Sequence, residues 1–257
     1  MCIVLFAWQT HPRYPLLVAA NRDEFHRRPA EPARWRKDIF CGRDLAAGGT
    51  WLGVTRTGRF ATVTNFREPI EDHSRGTRSR GDLPIGYLEG DLSPRAYCEH
   101  IAAHQDDYGP FNLLVGDVRE LWYVSNRGAE PQAVQPGIHG LSNGLLDTPW
   151  PKVTRGKEKL AAIGEGQADP QQMLSLLHDP WRPDDHRLPE TGVGMDLERL
   201  VAPIFISSEI YGTRASSVVR LDGNGVAEMF EQRWRADGSL DGEPTHNLDT
   251  GPDEHGA

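Results

Sequence analysis

Apolar residues in this chain fall in short runs bounded by turn-forming residues, which is a strand-rich pattern. Residues 2 to 9 and 15 to 21 are dense in Ile, Val, Leu, Phe and Ala, with Thr10-His11-Pro12-Arg13 between them. They predict an antiparallel hairpin whose return strand carries Asn21, Arg22 and Asp23 back beside residue 2. A second hairpin is expected where residues 50 to 55 and 59 to 66 flank Arg56-Thr57-Gly58. The Pro- and Arg-rich stretch before it reads as irregular, and Pro69 to Arg80 as a mobile charged loop beside the site that the hairpins form. Helices are expected at 81 to 89, 93 to 104, 151 to 163 and 170 to 178, the second opened by Ser93-Pro94 as N-cap and first helical residue. Strands are expected at 111 to 116, 120 to 125, 131 to 134, 203 to 207, 213 to 221 and 226 to 235. The last two are joined by Asp222-Gly223-Asn224-Gly225, a strong hairpin signal.

Hairpins at both ends with helices between them favour two antiparallel sheets covered by helices over a βαβ alternation. The pattern supports the α+β class and leaves the number of layers open. A length of 257 residues with 38% hydrophobic residues suits one domain with a sizeable core, placed at 1–236. The remaining stretch, 237–257, holds six acids and no Lys or Arg and reads as a disordered acidic tail.

No apolar run approaches the roughly 18 residues of a membrane span. The start also lacks the basic leader of a secretory signal, so a cytoplasmic location is expected. Three cysteines without CxxC spacing argue against a disulfide framework and a structural zinc site. The net charge of −9 becomes −9 + 6 = −3 once the tail is set aside, which disfavours nonspecific nucleic-acid binding. Basic residues are 24 Arg to 4 Lys, with arginine dense between Arg22 and Arg80. Coding bias explains this, or a pocket for carboxylate or phosphate does. Nothing in the sequence sets the oligomeric state.

The most reactive candidate is Cys2, directly after the initiator methionine. Trimming of Met1 would leave one residue carrying both a thiol and an α-amine of reference pKa about 7.7–8.0, so nucleophile and base would sit on the same residue. The opposing reading is a small buried hydrophobe at a strand start.

Cys2, Asn21-Arg22-Asp23-Glu24, Gly48-Gly49-Thr50-Trp51-Leu52-Gly53, Thr64-Asn65-Phe66, Gly140-Leu141-Ser142-Asn143 with Thr148-Pro149-Trp150-Pro151-Lys152, and Tyr211-Gly212-Thr213-Arg214 stand in one order along the chain. Together they resemble the NRDE family, which includes the eukaryotic transport and Golgi organisation proteins, over residues 1 to about 234. More distantly the family is similar to N-terminal nucleophile hydrolases of the choloylglycine hydrolase and penicillin acylase kind. That resemblance implies a four-layer α/β/β/α sandwich and catalytic roles for Cys2 as nucleophile, Asp23 as partner of the α-amine, Asn65 and Asn143 as oxyanion or amine-positioning groups, and Arg214 as support for the nucleophile. Asn21, Arg22 and Trp51 are candidates for substrate binding. One departure is that Arg22 immediately precedes Asp23, so in a strand the two point to opposite faces.

Two functions follow. The first is a cysteine N-terminal nucleophile hydrolase acting on a non-peptide C–N amide or a thioester of a small acyl substrate, without a cofactor. The second is a non-catalytic haem- or lipid-handling or trafficking protein on the same fold. His100 and His104 lie one helical turn apart, a spacing open to metal or haem, but no third ligand accompanies them, so no metal site is assigned and at most surface association of haem is expected.

Overall fold

The computed structural model describes residues 2–69, 76–128, 130–164 and 166–248. Strands β1 (Cys2–Trp8) and β2 (Leu16–Phe25) form the first hairpin, in a register that places Cys2 opposite Arg22 and Trp8 opposite Leu16. β10 (Gly137–Leu141) pairs with the other edge of β1, and β11 (Tyr211–Leu221) pairs with the other edge of β2. β12 (Ala227–Arg233) and β13 (Thr245–His246) complete a six-stranded antiparallel sheet in the order β10-β1-β2-β11-β12-β13. The second sheet runs β3 (Ala30–Arg36), β4 (Ile39–Asp44), β5 (Leu52–Thr55), β6 (Phe60–Asn65), β7 (Phe111–Gly116), β8 (Leu121–Ser125), β9 (Gln132–Ala133). Helices α1 (Asp82–Glu89) and α2 (Pro94–Ala103) cover the second sheet, and α3 (Pro151–Gly164) and α4 (Pro170–Leu177) cover the first. The short α5 (Met195–Leu200) follows. This is the four-layer α/β/β/α sandwich.

Strand alternation builds the layers. On β1 and β2, Val4, Phe6, Trp8, Leu16, Val18 and Ala20 point inward to meet Leu52, Val54, Phe60 and Leu114 of the other sheet. Their neighbours Ile3, Leu5, Leu17 and Ala19 point outward and pack on Val153, Leu160, Met173 and Leu177 of the covering helices. Because the period is two, Cys2 and Arg22 belong to the inner face and Asn21 and Asp23 to the outer one.

Three expectations are corrected. Residues 22–49 are not irregular, since they form the end of β2 and the β3–β4 pair, whose register shifts between Glu31 and Arg34 where Pro32 cannot donate to a ladder. Residues 203–207 are not a strand, although Phe205 N–H and Ile206 O bond across to Asp179 and Thr213. The acidic tail folds over its first part: Asn247 is buried, accepts from Met229 N–H and donates to Ala227 O at 2.8 and 2.9 Å, and its carbonyl accepts from Trp35 Nε1 at 3.0 Å. A side chain that mimics a strand edge substitutes here for apolar residues. Residues 249–257, and 70–75 of the charged loop, lie outside the described residues.

Candidate active site

A cavity of about 480 Å³ opens at the end of the sandwich where β1 begins. Cys2, Arg22, Asp23, Glu24, Trp51 and Asn65 line it, facing Arg78 and Arg80. Close backbone approach shapes the part of the lining that Gly48, Thr50 and Gly81 form. Gly49 has φ +69°, and a Cβ there would lie 2.4 Å from the Gly81 carbonyl carbon, so only glycine lets Thr50 N–H bond Gly81 O at 3.1 Å. That contact anchors Ser79–Gly81 beside the cavity, with Arg80 Nη1 donating to Pro110 O at 3.1 Å.

Cys2 is half-buried, whereas Cys41 and Cys98 are fully buried. Burial pushes the Cys2 thiol pKa up, and the nearby Asp23 charge adds to that, while the Asp23 backbone N–H and the Arg22 charge work against it. Burial likewise raises Cys41 and Cys98. In the chain as encoded, then, burial holds all three thiols up, and at Cys2 and Cys41 it outweighs the charges that would favour the thiolate.

Asp23 is buried and accepts from Thr213 Oγ1 at 2.7 Å, and its backbone carbonyl accepts from Tyr211 Oη at 2.9 Å. Burial raises the Asp23 pKa, opposed first by the charge of Lys152. Lys152 is itself buried at the start of α3, donates to Val201 O at 3.0 Å, and is pushed by burial to about 8. Beside it lies the buried Arg67–Glu198 pair, with Arg67 stacked 4.5 Å from the Trp150 ring centroid. Sequence reasoning quoted Lys152 only within a motif. A lone lysine following Trp-Pro in an arginine-rich chain was the available signal, and nothing local reveals its burial.

The remaining candidates separate. Asn65 lies at the cavity edge, and among the described residues nothing takes up its side-chain amide. Asn143 is fully buried, does not line the cavity, and donates through Nδ2 to the Asn65 carbonyl at 2.7 Å. Arg22 stacks on Trp51 at 4.6 Å and bonds Asp44 at 2.9 Å, leaving its buried Nη1 without an acceptor among the described residues. It faces away from Asp23 as alternation requires, yet both line the cavity because the cavity wraps the strand end.

Asn21 does not line the cavity. It is buried, donates to Leu177 O and Ile204 O at 2.9 Å each, and accepts from Ser216 Oγ at 2.6 Å, which fastens the sheet to the chain beyond α4. Arg214 is also outside the site. The β2–β11 register shifts between Thr213 and Ala215, and the extra residue turns its side chain onto the carbonyls of Phe25, His26 and Arg28. His104 Nδ1 is bonded to His100 O at 2.8 Å, and among the described residues no group of three His, Cys, Asp or Glu could hold a metal ion. No helix among the described residues is long and apolar enough to cross a membrane.

A profile of the family described as Transport and Golgi organisation 2 matches residues 1–236. The Transport and Golgi organization protein 2 homolog of Bos taurus is 34% identical over 261 residues, covering 90% of this chain and 92% of that protein. The Homo sapiens homolog is 32% identical with the same coverage. Among solved structures, the C2A mutant of a conjugated bile acid hydrolase from Clostridium perfringens superposes with a TM-score of 0.51 at 11% identity, over 96% of this chain and 92% of that one. Its fold is the one described above.

Proposed function

The chain belongs to the Transport and Golgi organisation 2 family, and from that premise and the cavity geometry we propose that it is a cysteine N-terminal nucleophile hydrolase cleaving a non-peptide amide or thioester of a small acyl substrate. The observation that carries the reading is the meeting of Cys2, Asp23 and Asn65 on one cavity, from three separate parts of the chain. That the fold neighbour was studied with its second-position cysteine replaced is consistent with it.

Removal of Met1 frees the α-amine of Cys2 next to Asp23. The amine takes the thiol proton, and the thiolate attacks the substrate carbonyl carbon to form a C–S bond. Negative charge then appears on the carbonyl oxygen, where the free amide of Asn65 donates to it. The adduct collapses, the C–N or C–S bond of the leaving group breaks, and the α-ammonium returns the proton to that group. Water, deprotonated by the same amine, attacks the thioester carbonyl, and expulsion of the thiolate releases the acid. Asp23, held by Thr213 and facing the positive charge of Lys152, orients the ammonium at each stage.

The test is intact mass before and after treatment with iodoacetamide. Loss of one methionine and a single fast adduct, absent in Cys2→Ser, is the expected result. Retained Met1, or faster modification of Cys41 or Cys98, overturns the mechanism. A carrier role is the second reading, favoured by an apolar groove of about 690 Å³ that adjoins the cavity. Haem handling has no comparable support among the described residues.

A further inference from the structure

The cavity and the groove are unlike in chemistry and share a boundary. Both are lined by Glu24 and Asn65. On the groove side stand Phe25, Leu197, Leu200, Ile210 and Tyr211, with Ile210 68% and Phe25 43% exposed, an apolar surface left open to water. Phe25 and Tyr211 meet edge to face at 5.2 Å and fix that wall. On the Cys2 side stand arginines whose charge is not fully matched. Arg28 is paired with Asp44 at 2.6 Å and Arg22 shares the same carboxylate. Arg78 stacks on Tyr108 at 5.1 Å and Arg80 is held by a carbonyl, and among the described residues neither has a carboxylate partner. Arg22 is 94% buried by its 6% exposure and still has a free Nη1. Arg80 is partly buried and lines the same cavity as the Cys2 thiol.

A buried guanidinium with an unused donor calls for an acceptor, and planar donors suit carboxylate or phosphate. Glu209, which lines the groove alone, would repel an anion there, whereas Glu24, shared with the cavity, lies 3.7 Å from Arg28. From this division we infer that the substrate is an anionic amphiphile: an N-acylated small amine acid whose apolar acyl chain lies along the Phe25–Ile210–Tyr211 groove, with its scissile carbonyl at Asn65 and its anionic leaving group on Arg22, Arg78 and Arg80. The inference rests on the hydrolase reading only for the word substrate, because the recognition itself is a binding property. In the reaction the C–N bond breaks, the acyl group passes to the Cys2 sulfur and then to water, and the amine carrying the anion leaves from the arginine side.

The experiment measures binding calorimetrically to the full chain carrying Cys2→Ala, so that nothing is turned over. The probes are N-octanoylglycine, N-octanoyl phosphoethanolamine and neutral N-octanoylethanolamine. At least one anionic probe should bind tenfold or more tightly than the neutral one, and which one does so identifies carboxylate or phosphate. Arg78→Gln and Arg80→Gln should remove that preference without weakening the neutral probe, and Ile210→Asp should weaken all three. Lengthening the acyl chain should tighten binding roughly threefold to fourfold per buried methylene. Equal affinity for neutral and anionic probes, or no response to Ile210→Asp, overturns the inference. Should the anionic probe bind as expected while the trimmed wild-type chain never cleaves it, the hydrolase reading fails and this one stands. Cleavage of neutral amides with no dependence on Arg78 or Arg80 gives the reverse outcome.

Discussion

The space between the two sheets has unlike ends. Where β1 and β2 turn into each other, Phe6, Trp8, Leu16 and Val18 meet Leu221 and Met229 in a close-packed apolar layer. Sixteen or so ångströms along the same strands, on the usual rise of roughly 3.3 Å per residue, the same face carries Cys2 and Arg22 and reaches Asp44 and Trp51 instead. One hairpin therefore serves as wall of a core and as floor of a cavity. The contrast teaches that stability and chemistry are separable along a single strand: the apolar end holds the sheets in register so that the polar end can stay open.

The sharpest way to break this contrast is to substitute both ends. Phe6→Ala, at a fully buried site, should cost about 3–5 kcal/mol in chemical denaturation. Cys2→Ser, at the half-buried end, should cost less than about 1 kcal/mol while turnover disappears. Equal losses at both sites would mean that the cavity end is part of the stabilising core.

Glu231 tests the polar half by pH. It is buried, accepts from Ala33 N–H of the opposite sheet at 2.7 Å, and burial pushes its carboxyl up to about 7 against that bond and the Arg233 and Arg22 charges. Because the folded pKa lies above the unfolded one, its contribution is complete below about pH 4 and is lost as pH rises through 7. Glu231→Gln should therefore raise stability at pH 8 by on the order of 2 kcal/mol and change little near pH 4, as read from melting temperatures across that range.

The closed half titrates in the other direction and by less. Asp147 lies beside His139, whose ring stacks on Phe6 at 5.1 Å. Burial would raise its carboxyl, but bonds from His139, Lys157 and the Gly140 N–H outweigh burial and hold it at about 2. A lowered folded pKa gives stability present above about pH 4 and lost as pH falls through 2. Since the side chain is 33% exposed, solvent screening reduces the effect to about 1 kcal/mol. Asp147→Asn should show that loss at pH 7 and none below pH 2. A loss that is the same at both pH values would assign the residue a purely geometric role.

What could be read from the sequence follows the same division. Apolar alternation and the Thr10–Arg13 turn are local signals, and they placed β1 against β2 with Asn21, Arg22 and Asp23 brought beside residue 2, Arg22 being the residue directly opposite it. Strand β3 was missed because its proline and arginines mask an alternation in which Ala33 and Trp35 point inward and Arg34 outward. Asn65 and Asn143 look alike in sequence, since each stands at or just past the end of an apolar run. Which amide stays free depends on a 2.7 Å contact between residues 78 positions apart. The motif around Arg214 was legible, but the extra residue that turns its side chain away is set by pairing with β2, which no local pattern encodes. Asn247 escaped notice for a similar reason, as an acidic neighbourhood conceals one side chain with two strand-like bonds.

The pairing of β2 with β11 also sets an order of events in time. Thr213 reaches Asp23 across 190 residues, so the carboxylate gains its hydroxyl only after most of the chain exists. At roughly 5–20 residues per second, a ribosome takes on the order of ten to forty seconds to cover that distance. Such long-range closure is also the slow kind. For that interval β2 has no β11 to pair with, and the Asp23 carboxylate has no Thr213 hydroxyl to accept from. The thiol is thus made first and its surroundings last.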